Sequence, residues 1–280
     1  MVKKSKNMTH QEFNFNFHNT AFYGQYWEAK QTEGVVVLVH GMGEHSSRYK
    51  HVAKKLTDNN FSVVTFDQFG HGKTKGKRGH NPNFEAVLNS VTTVIEKAKK
   101  LFPNKPIFLY GHSMGGNVVT NYVLRKEHQI KGAIATSPFL KLAFDPPAIK
   151  LFVGKMLQNI VPSLTMGNEL DPNTLSRKKE EVKKYMDDDL VHAKISPNYS
   201  IKFIETGNWA IENASKLNTP MLFLHGISDS ITDHKGSEEF AENTHKAAVK
   251  LYKDGFHELH NDLCASEMLE DVVNWLKSQL

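Results

Sequence analysis

The sequence predicts an α/β fold built on a mostly parallel sheet with helices on both faces. Six short apolar segments alternate with stretches of helical periodicity, which is typical of strands that are buried on both sides and connected by helices. These segments are Val35–Gly41, Phe61–Asp67, Pro106–Gly111, Lys131–Ser137, Pro220–Gly226 and Ala248–Gly255. Between residues 137 and about 205 the alternation stops, so we expect an insertion there instead of another strand and helix.

Two segments that precede these six have a different pattern. Phe13–His18 alternates apolar and polar residues, and Tyr23–Ala29 is rich in aromatic residues. Alternation with a period of two indicates a strand with one solvated face. We therefore expect an antiparallel pair of strands at the edge of the sheet.

Helical periodicity is clearest in two of the connecting segments. In Asn83–Leu101 the apolar side chains fall on one stripe, and Met268–Leu276 near the end of the chain has a similar pattern. An apolar stripe of this kind predicts a helix that packs against a sheet. The insertion contains six prolines and an acidic patch at Asp187–Asp189, and it has no convincing buried strand.

Length, charge and cysteine content limit the possible classes of protein. The chain has 280 residues, which suits one domain with an insertion, and its net charge of +5 is scattered among acidic residues. Because no basic stripe with interleaved aromatic residues is present, we expect no nucleic-acid partner. The single cysteine, Cys264, excludes an intrachain disulfide, suits a reducing compartment, and is interpreted as a small buried side chain.

Neither a secretion signal nor a membrane span is predicted. The N-terminal residues MVKKSKNMTHQEFNF include lysines but no apolar segment behind them. The longest apolar runs, such as Val35–Val39, are only long enough for a strand. We expect a cytoplasmic protein.

The most informative motif is Gly-His-Ser-Met-Gly at residues 111–115, which joins a predicted strand to a predicted helix. This is the nucleophile-elbow pattern, in which a serine on a strained turn exposes its hydroxyl above the sheet. Gly111 and Gly115 avoid collisions with the turn, and we expect Gly116 to let the helix lie close to the strand. A simple strand-to-helix turn is the alternative, but the flanking elements favour Ser113 as a nucleophile.

A serine nucleophile needs a base and an acid that holds the base, in the chain order Ser, acid, His for this type of elbow. Asp229 and His257 each follow the carboxyl end of a predicted strand, where ligands collect in an open parallel sheet. We favour Asp229 over Asp233, which could cap the next helix. We favour His257 over His260, which lies closer to the final helix.

The segment His40–Tyr49, HGMGEHSSRY, follows another strand and is similar to the loop that supplies an oxyanion donor in hydrolases with this elbow. The backbone N–H groups of Met42 and Met114 are the predicted donors. We expect no metal, because the sequence HELH at residues 257–260 is not the HExxH zinc motif and no other ligand spacing is present. We also expect no cofactor.

Five stretches together resemble the monoacylglycerol lipase and lysophospholipase family of serine hydrolases. The resemblance extends from about Gly34 to the end of the chain and includes the insertion. The five stretches are HGMGEHSSRY, FDQFGHGKTKGKR, YGHSMGGNV, TLSRKKEEVKKYMDDD and YKDGFHELHND.

The resemblance implies an α/β-hydrolase fold whose eight-stranded sheet has an antiparallel second strand. It implies a core of residues 1–137 and 206–280, and a helical cap of residues 138–205. Ser113, Asp229 and His257 match the catalytic triad of the family. Met42 and Met114 match the oxyanion-hole positions. Tyr185 matches a tyrosine near the polar head of the ester, and Glu44, His45 and Arg48 match the entrance motif. We therefore expect substrate contacts at Tyr185, Glu44 and Arg48.

The family activity predicts hydrolysis of monoacylglycerol to fatty acid and glycerol through an acyl-enzyme. Lysophospholipase, general carboxylesterase or thioesterase activity with the same triad stays open, as does a non-catalytic lipid-binding role. In the cap, Ala148–Leu164 has apolar residues at helical spacing with Lys150 and Lys155 turned away. This helix packs on the body of the protein, or part of it lines an acyl tunnel or transiently touches a membrane surface, and both alternatives are compatible with opposite ends of one helix. The sequence leaves the oligomeric state open.

Overall fold

An eight-stranded sheet forms the centre of the computed structural model, which describes residues 9–280. Residues 1–8 lie outside the described residues. They include most of the N-terminal segment MVKKSKNMTHQEFNF, in which we expect no secretion signal. The strands are β1 Thr9–Phe17, β2 Thr20–Glu28, β3 Gly34–Val39, β4 Phe61–Phe66, β5 Ile107–His112, β6 Ile130–Thr136, β7 Met166–Gly167, β8 Lys194–Ile195, β9 Met221–Gly226 and β10 Ala247–Tyr252. Strands β7 and β8 form a separate two-stranded pair.

The topology confirms the predicted fold class. The order across the sheet is β1-β2-β4-β3-β5-β6-β9-β10. Strand β2 runs antiparallel to both β1 and β4, and the pairs from β4 to β10 are all parallel. Each of the eight predicted segments contributes one strand to this α/β-hydrolase sheet.

The helices cover both faces of the sheet. They are α1 Lys50–Thr57, α2 Phe84–Leu101, α3 Met114–Arg125, α4 Ala148–Ile160, α5 Lys179–Met186, α6 Pro197–Glu212, α7 His234–Glu242 and α8 Ala265–Ser278. Helix α2 begins as predicted, because the Asn83 side chain accepts a hydrogen bond from Ala86 N at 2.8 Å.

Two apolar clusters form the core, one on each side of the sheet. Along β3, Val35, Val37 and Val39 belong to the cluster under α2 and α3, and Val36 and Leu38 belong to the cluster under α1 and α8. Successive side chains of a strand point to opposite faces, so a strand covered on both sides must be apolar throughout. This explains why β3 reads as an unbroken apolar run.

The insertion contains α4, α5, the β7–β8 pair and the first part of α6. Helix α6 passes through residue 205, so the division into core and cap at that residue stays a prediction. Helix α4 ends at Ile160, four residues before the predicted end, and none of its residues is fully buried. Among residues 9–280, no helix is long and apolar enough to cross a membrane.

Candidate active site

Ser113 occupies a strained turn between β5 and α3. Its φ of 53° and ψ of −115° lie outside the conformations that side-chain-bearing residues usually adopt. A Cβ atom on Gly111 would lie 2.1 Å from Gly115 O, and one on Gly115 would lie 2.1 Å from Val39 O. A side chain at Gly111 would therefore collide with the turn, as predicted, whereas a side chain at Gly115 would collide with the end of strand β3 instead of the turn.

The third glycine of the motif has a different role from the predicted one. A Cβ atom on Gly116 would lie 2.7 Å from the Cβ of Pro138, whereas the nearest atom of strand β5, Gly111 O, would be 3.4 Å away. Gly116 therefore chiefly makes room for the loop that follows β6. That loop is the start of the predicted cap.

The structure brings Asp229 and His257 together. His257 Nδ1 lies 2.7 Å from Asp229 Oδ2, and both side chains are buried. The Asp229 carboxylate also accepts hydrogen bonds from Ile231 N at 2.8 Å and from Thr232 Oγ1 at 2.8 Å. These contacts fix the orientation of the carboxylate, which in turn leaves Nε2 of His257 free to act as a base.

Burial and charge have opposing effects on this pair. Burial alone raises the pKa of Asp229, but the facing His257 and a hydrogen bond with His225 hold the pKa well below its ordinary value. Burial alone lowers the pKa of His257, and the Asp229 carboxylate outweighs it, so the net pKa of His257 is raised. Burial, together with the neighbouring His257, lowers the pKa of His112 to about 4. His112 is thus a neutral neighbour of the candidate base.

Ser113 and His257 line one cavity. Among residues 9–280, Ser113 Oγ makes no hydrogen bond to His257 or to another protein group. Hydrogen bonds of catalytic groups are often long in structures without substrate and tighten when substrate is present. The assignment of the triad as a working unit stays a prediction.

The two predicted oxyanion donors flank Ser113. Within residues 9–280, neither Met42 N nor Met114 N donates a hydrogen bond to a protein group. The neighbouring Gly41 N, in contrast, donates to Glu44 Oε1 at 2.6 Å. Because Glu44 occupies the amide before Met42, it holds the loop in one shape and leaves the Met42 amide available to a ligand.

The two alternatives considered from the sequence lie in other environments. Asp233 caps α7 and accepts a hydrogen bond from Lys235 N at 3.0 Å. His260 is buried against the ring of Tyr49, with a centroid distance of 4.8 Å. Among residues 9–280, the Asp233 carboxylate has no histidine partner, and neither ring nitrogen of His260 has a hydrogen-bond partner.

Glu44 and Arg48 belong to a buried cluster of charges beside the cavity. Arg48 Nη1 donates to Glu44 Oε2 at 2.7 Å and to Glu258 Oε1 at 2.6 Å. The Tyr185 ring covers the guanidinium, whose carbon lies 4.8 Å from the ring centroid. Glu44, Tyr185 and Glu258 line the cavity and Arg48 does not. A substrate contact for Glu44, Arg48 or Tyr185 stays a prediction.

His45, the remaining residue of the entrance motif, connects the core to the cap. Its Nε2 lies 2.9 Å from Asp188 Oδ2, and Asp188 also accepts a hydrogen bond from Leu190 N at 2.9 Å. Burial raises the pKa of Asp188, but hydrogen bonds from His45 and Leu190 outweigh it and lower the pKa.

Two cavities that differ in polarity share Ser113 and Met42 in their walls. The first, about 280 Å³, has mixed walls, in which Glu44, Asp188 and Glu258 lie beside apolar side chains such as Leu170 and Val191; it is called the polar cavity below because of these carboxylates. The second, about 640 Å³, has apolar walls. The apolar side chains around it include Leu142, Leu151, Val153, Leu157, Ile201 and Phe203.

Comparisons with known proteins identify the family and support the fold. The family model described as serine aminopeptidase, S33, matches residues 30–264. The chain belongs to this family. A monoglyceride lipase of Mus musculus is 30% identical over 264 residues, which span 91% of this chain and 86% of the relative. The crystal structure of Paleococcus ferrophilus monoacylglycerol lipase has a TM-score of 0.86 at 34% identity, and the match covers 92% of this chain and 99% of that one.

Another relative is much longer than this chain. An uncharacterized abhydrolase domain-containing protein of Dictyostelium discoideum is 35% identical over 249 residues, which are 88% of this chain but only 26% of the relative. The resemblance stated from the sequence motifs is confirmed, and this member of the S33 family is a carboxylic ester hydrolase with the α/β-hydrolase fold.

Several residues near the candidate site of this S33 family member were not predicted from the sequence. Thr232 contacts Asp229, Glu258 follows His257 and pairs with Arg48, and Asp262 contacts Phe256 N. From the cap, Arg177 contacts Asp262 and Asp188 contacts His45. The acidic residues in HELHND after His257 were the available signal for Glu258 and Asp262. No local pattern marks Arg177, because its partner is 85 positions away.

Proposed function

We propose that this protein hydrolyses monoacylglycerols to fatty acid and glycerol through an acyl-enzyme on Ser113. The observation that supports the proposal is the meeting, at one serine, of a mostly apolar cavity and a smaller cavity whose mixed walls contain three carboxylates. A monoacylglycerol has the same division, because its ester joins a long apolar chain to a small hydroxylated alcohol.

The apolar cavity suits an acyl chain. Its volume of about 640 Å³ lies within the range of roughly 300–1,000 Å³ that is common for ligand sites. Leu151, Val153 and Leu157 of helix α4 line one wall, and Ile201 and Phe203 of α6 line another. Burial of an acyl chain against these side chains removes apolar surface from water and stabilises the complex.

The polar cavity favours an uncharged head group over a phosphate ester. Glu44, Asp188 and Glu258 carry carboxylates in its wall, and among residues 9–280 no lysine or arginine side chain lines it. The nearby Arg48 is already paired with two of these carboxylates. A phosphate would therefore meet like charge without a cation, whereas the hydroxyls of glycerol can donate hydrogen bonds to carboxylates.

The proposed reaction has two steps. His257 Nε2 takes the hydroxyl proton as Ser113 Oγ attacks the ester carbonyl, and Asp229 holds the imidazole in the required tautomer. The N–H groups of Met42 and Met114 stabilise the charge that develops on the carbonyl oxygen. His257 then donates its proton to the leaving glycerol oxygen, and the ester bond breaks. Water, deprotonated by His257, releases the fatty acid by the same route.

Product analysis tests this proposal. We expect purified protein to release fatty acid from a monoacylglycerol faster than from a lysophosphatidylcholine with the same acyl chain, and Ser113→Ala protein to release none. Intact-mass analysis after fluorophosphonate treatment should show one adduct on Ser113. An adduct elsewhere, or a preference for the lysophospholipid, would contradict the proposal.

We further propose that the cap contacts lipid surfaces. Phe152, Met156 and Ile160 of α4 are exposed and do not line the apolar cavity, whereas Phe144 and Ile149 line the cavity and are also exposed to solvent. An amphipathic helix with such side chains can lie in a membrane interface, and a lipid substrate would enter from there. A cytoplasmic location with peripheral membrane binding stays a prediction. Co-sedimentation with phosphatidylcholine vesicles would test the membrane binding.

A further inference from the structure

The loop that carries His257 is held by hydrogen bonds on both sides of the histidine. The preceding amide, Phe256 N, donates to Asp262 Oδ2 at 3.0 Å. The following amide, Glu258 N, donates to the carbonyl oxygen of Leu175 at 2.8 Å. Leu175 belongs to the insertion between β6 and β9, so the cap directly holds one of these two amides.

Asp262 connects the other amide to the cap as well. Its side chain is fully buried, and its Oδ1 accepts a hydrogen bond from Arg177 N at 2.9 Å. The Arg177 guanidinium reaches the same carboxylate, with Nε 3.0 Å and Nη2 2.9 Å from Oδ2. One carboxylate thus joins Phe256, next to the candidate base, to Arg177 in the cap.

A third contact completes the connection. Ser176 Oγ donates to the carbonyl oxygen of Asn261 at 2.8 Å. Three consecutive cap residues, Leu175–Arg177, therefore contact the segment Phe256–Asp262 through backbone or charged groups. Such hydrogen bonds are directional and restrict position more tightly than apolar contacts do.

We propose that the cap segment Leu175–Arg177 positions His257 for catalysis, with Arg177 and Asp262 as a pair of positioning residues. The inference rests on the proposed function, because it assigns these residues to the same triad. In this arrangement the cap contributes to the chemical step as well as to the enclosure of the substrate.

The energetic reason is the narrow tolerance of a general base. The imidazole must lie within hydrogen-bond distance of Ser113 Oγ while its other nitrogen stays on Asp229, and an error of about 1 Å can reduce the rate by about 100-fold. His257 lies on a loop between β10 and α8, where regular structure does not hold the backbone. The contacts of its two flanking amides supply that restraint.

The experiment compares Arg177→Met and Asp262→Asn with Lys184→Met. Lys184 forms an exposed ion pair with Glu181 inside the cap, so it is a matched control that loses a cap charge without touching the histidine loop. The substrate is p-nitrophenyl acetate, whose short acyl group needs neither the apolar cavity nor a membrane. For each protein, kcat, KM, the pH profile of kcat/KM and the melting temperature are measured.

We expect Arg177→Met and Asp262→Asn each to lower kcat by about 10- to 100-fold with little change in KM. Because the two residues act through one contact, the double variant should be no worse than the poorer single variant. Arg177→Lys should restore part of kcat, since lysine keeps one donor but loses the bidentate geometry. The acid limb of the pH profile of kcat/KM should move in Arg177→Met. A purely structural role of Arg177 does not require such a shift.

The inference is overturned if Arg177→Met and Asp262→Asn keep kcat within about twofold of the wild type, the range of ordinary surface substitutions. It is also overturned if only KM changes or if Lys184→Met loses as much activity. Should Arg177→Met fail to fold, the nearly isosteric Asp262→Asn variant decides. Wild-type protein that is inactive toward every ester would contradict the proposed function instead, so the two failures are distinguishable.

Discussion

Two halves of the cap differ in how they are attached to the core. The docked half, residues 170–198, forms directional hydrogen bonds with core loops, such as His192 N to Gly43 O at 2.9 Å and Ser196 N to Gly79 O at 2.8 Å. The outer half, residues 144–164, contains α4, which packs on α6 and leaves large apolar side chains in solvent. Apolar contacts are non-directional, so the outer half can move with little loss of specific bonding, whereas the docked half cannot.

The difference indicates that the cap combines two physical roles. The docked half contacts the loops that carry Met42 and His257, so it affects the geometry of the chemical step. The outer half forms a wall of the apolar cavity and an exposed apolar surface, so it affects access and binding of a lipid. Substitutions in the two halves should therefore change different kinetic quantities.

The largest effect is expected for substitutions in the candidate triad, because the roles of both halves of the cap in turnover require it. Ser113→Ala and His257→Ala should each lower kcat by about a millionfold, and the double variant should be little worse, because the residues act as a unit. The measurement is the steady-state rate of p-nitrophenyl acetate hydrolysis, taken after any initial burst. A loss of only a few-fold at His257 would mean that another residue is the base.

Asp229→Asn should lower kcat by about ten-thousandfold, because the imidazole would lose the partner that fixes its tautomer. The wild-type activity should fall as pH falls through the pKa of His257, since only the neutral ring accepts a proton. That pKa is raised above its ordinary value, chiefly because Asp229 outweighs the effect of burial. The midpoint of the acid limb should therefore lie above about 6.5 in the wild type and move to lower pH in Asp229→Asn.

A substitution of Gly43 tests the contact between the docked half and the loop that carries Met42, a predicted oxyanion donor. A Cβ atom there would lie 2.5 Å from His192 O at a φ of 76°, so Gly43→Val should displace the Met42 amide and lower kcat by about 100- to 1,000-fold. Gly76→Val is the matched control, because Gly76 also has a positive φ, 122°, but a Cβ there meets no atom within 4 Å. Equal losses in both variants would assign the effect to backbone strain.

The smallest effect is expected in the outer half. Phe152→Ser should weaken binding to phosphatidylcholine vesicles by about tenfold, because burial of a phenylalanine stabilises by roughly 1.5 kcal/mol at the lower end of its usual range and about 1.4 kcal/mol corresponds to a factor of ten. Turnover of soluble p-nitrophenyl acetate should not change. Leu263→Ser is the control, since Leu263 on the core is 63% exposed and Phe152 is 66% exposed. Equal vesicle binding by the two variants would exclude the outer half as the membrane surface.

Much of the fold was predictable because its signals are local. The apolar runs of the parallel strands, the alternation in β1 and the stripe of α2 follow from side-chain periodicity. The elbow was predictable for a similar reason, since the φ of Ser113 and the contact of Gly111 with Gly115 O are properties of one short turn, although Gly115 itself is confined by Val39 of β3. The role of Gly116 was predicted less well, because its neighbour Pro138 comes from another loop.

Sequence by itself determined the sheet, its helices, the serine of the elbow and the order of the candidate acid and base, because periodicity, glycine and strand ends each leave a pattern within a few residues. Only the tertiary structure decided that Arg48 is enclosed by Glu44, Glu258 and Tyr185, and that Arg177 joins Asp262. A charged side chain pairs with whatever carboxylate the fold brings near it. Such partners can be far apart in the chain, so their pairing has no local pattern from which it could be predicted.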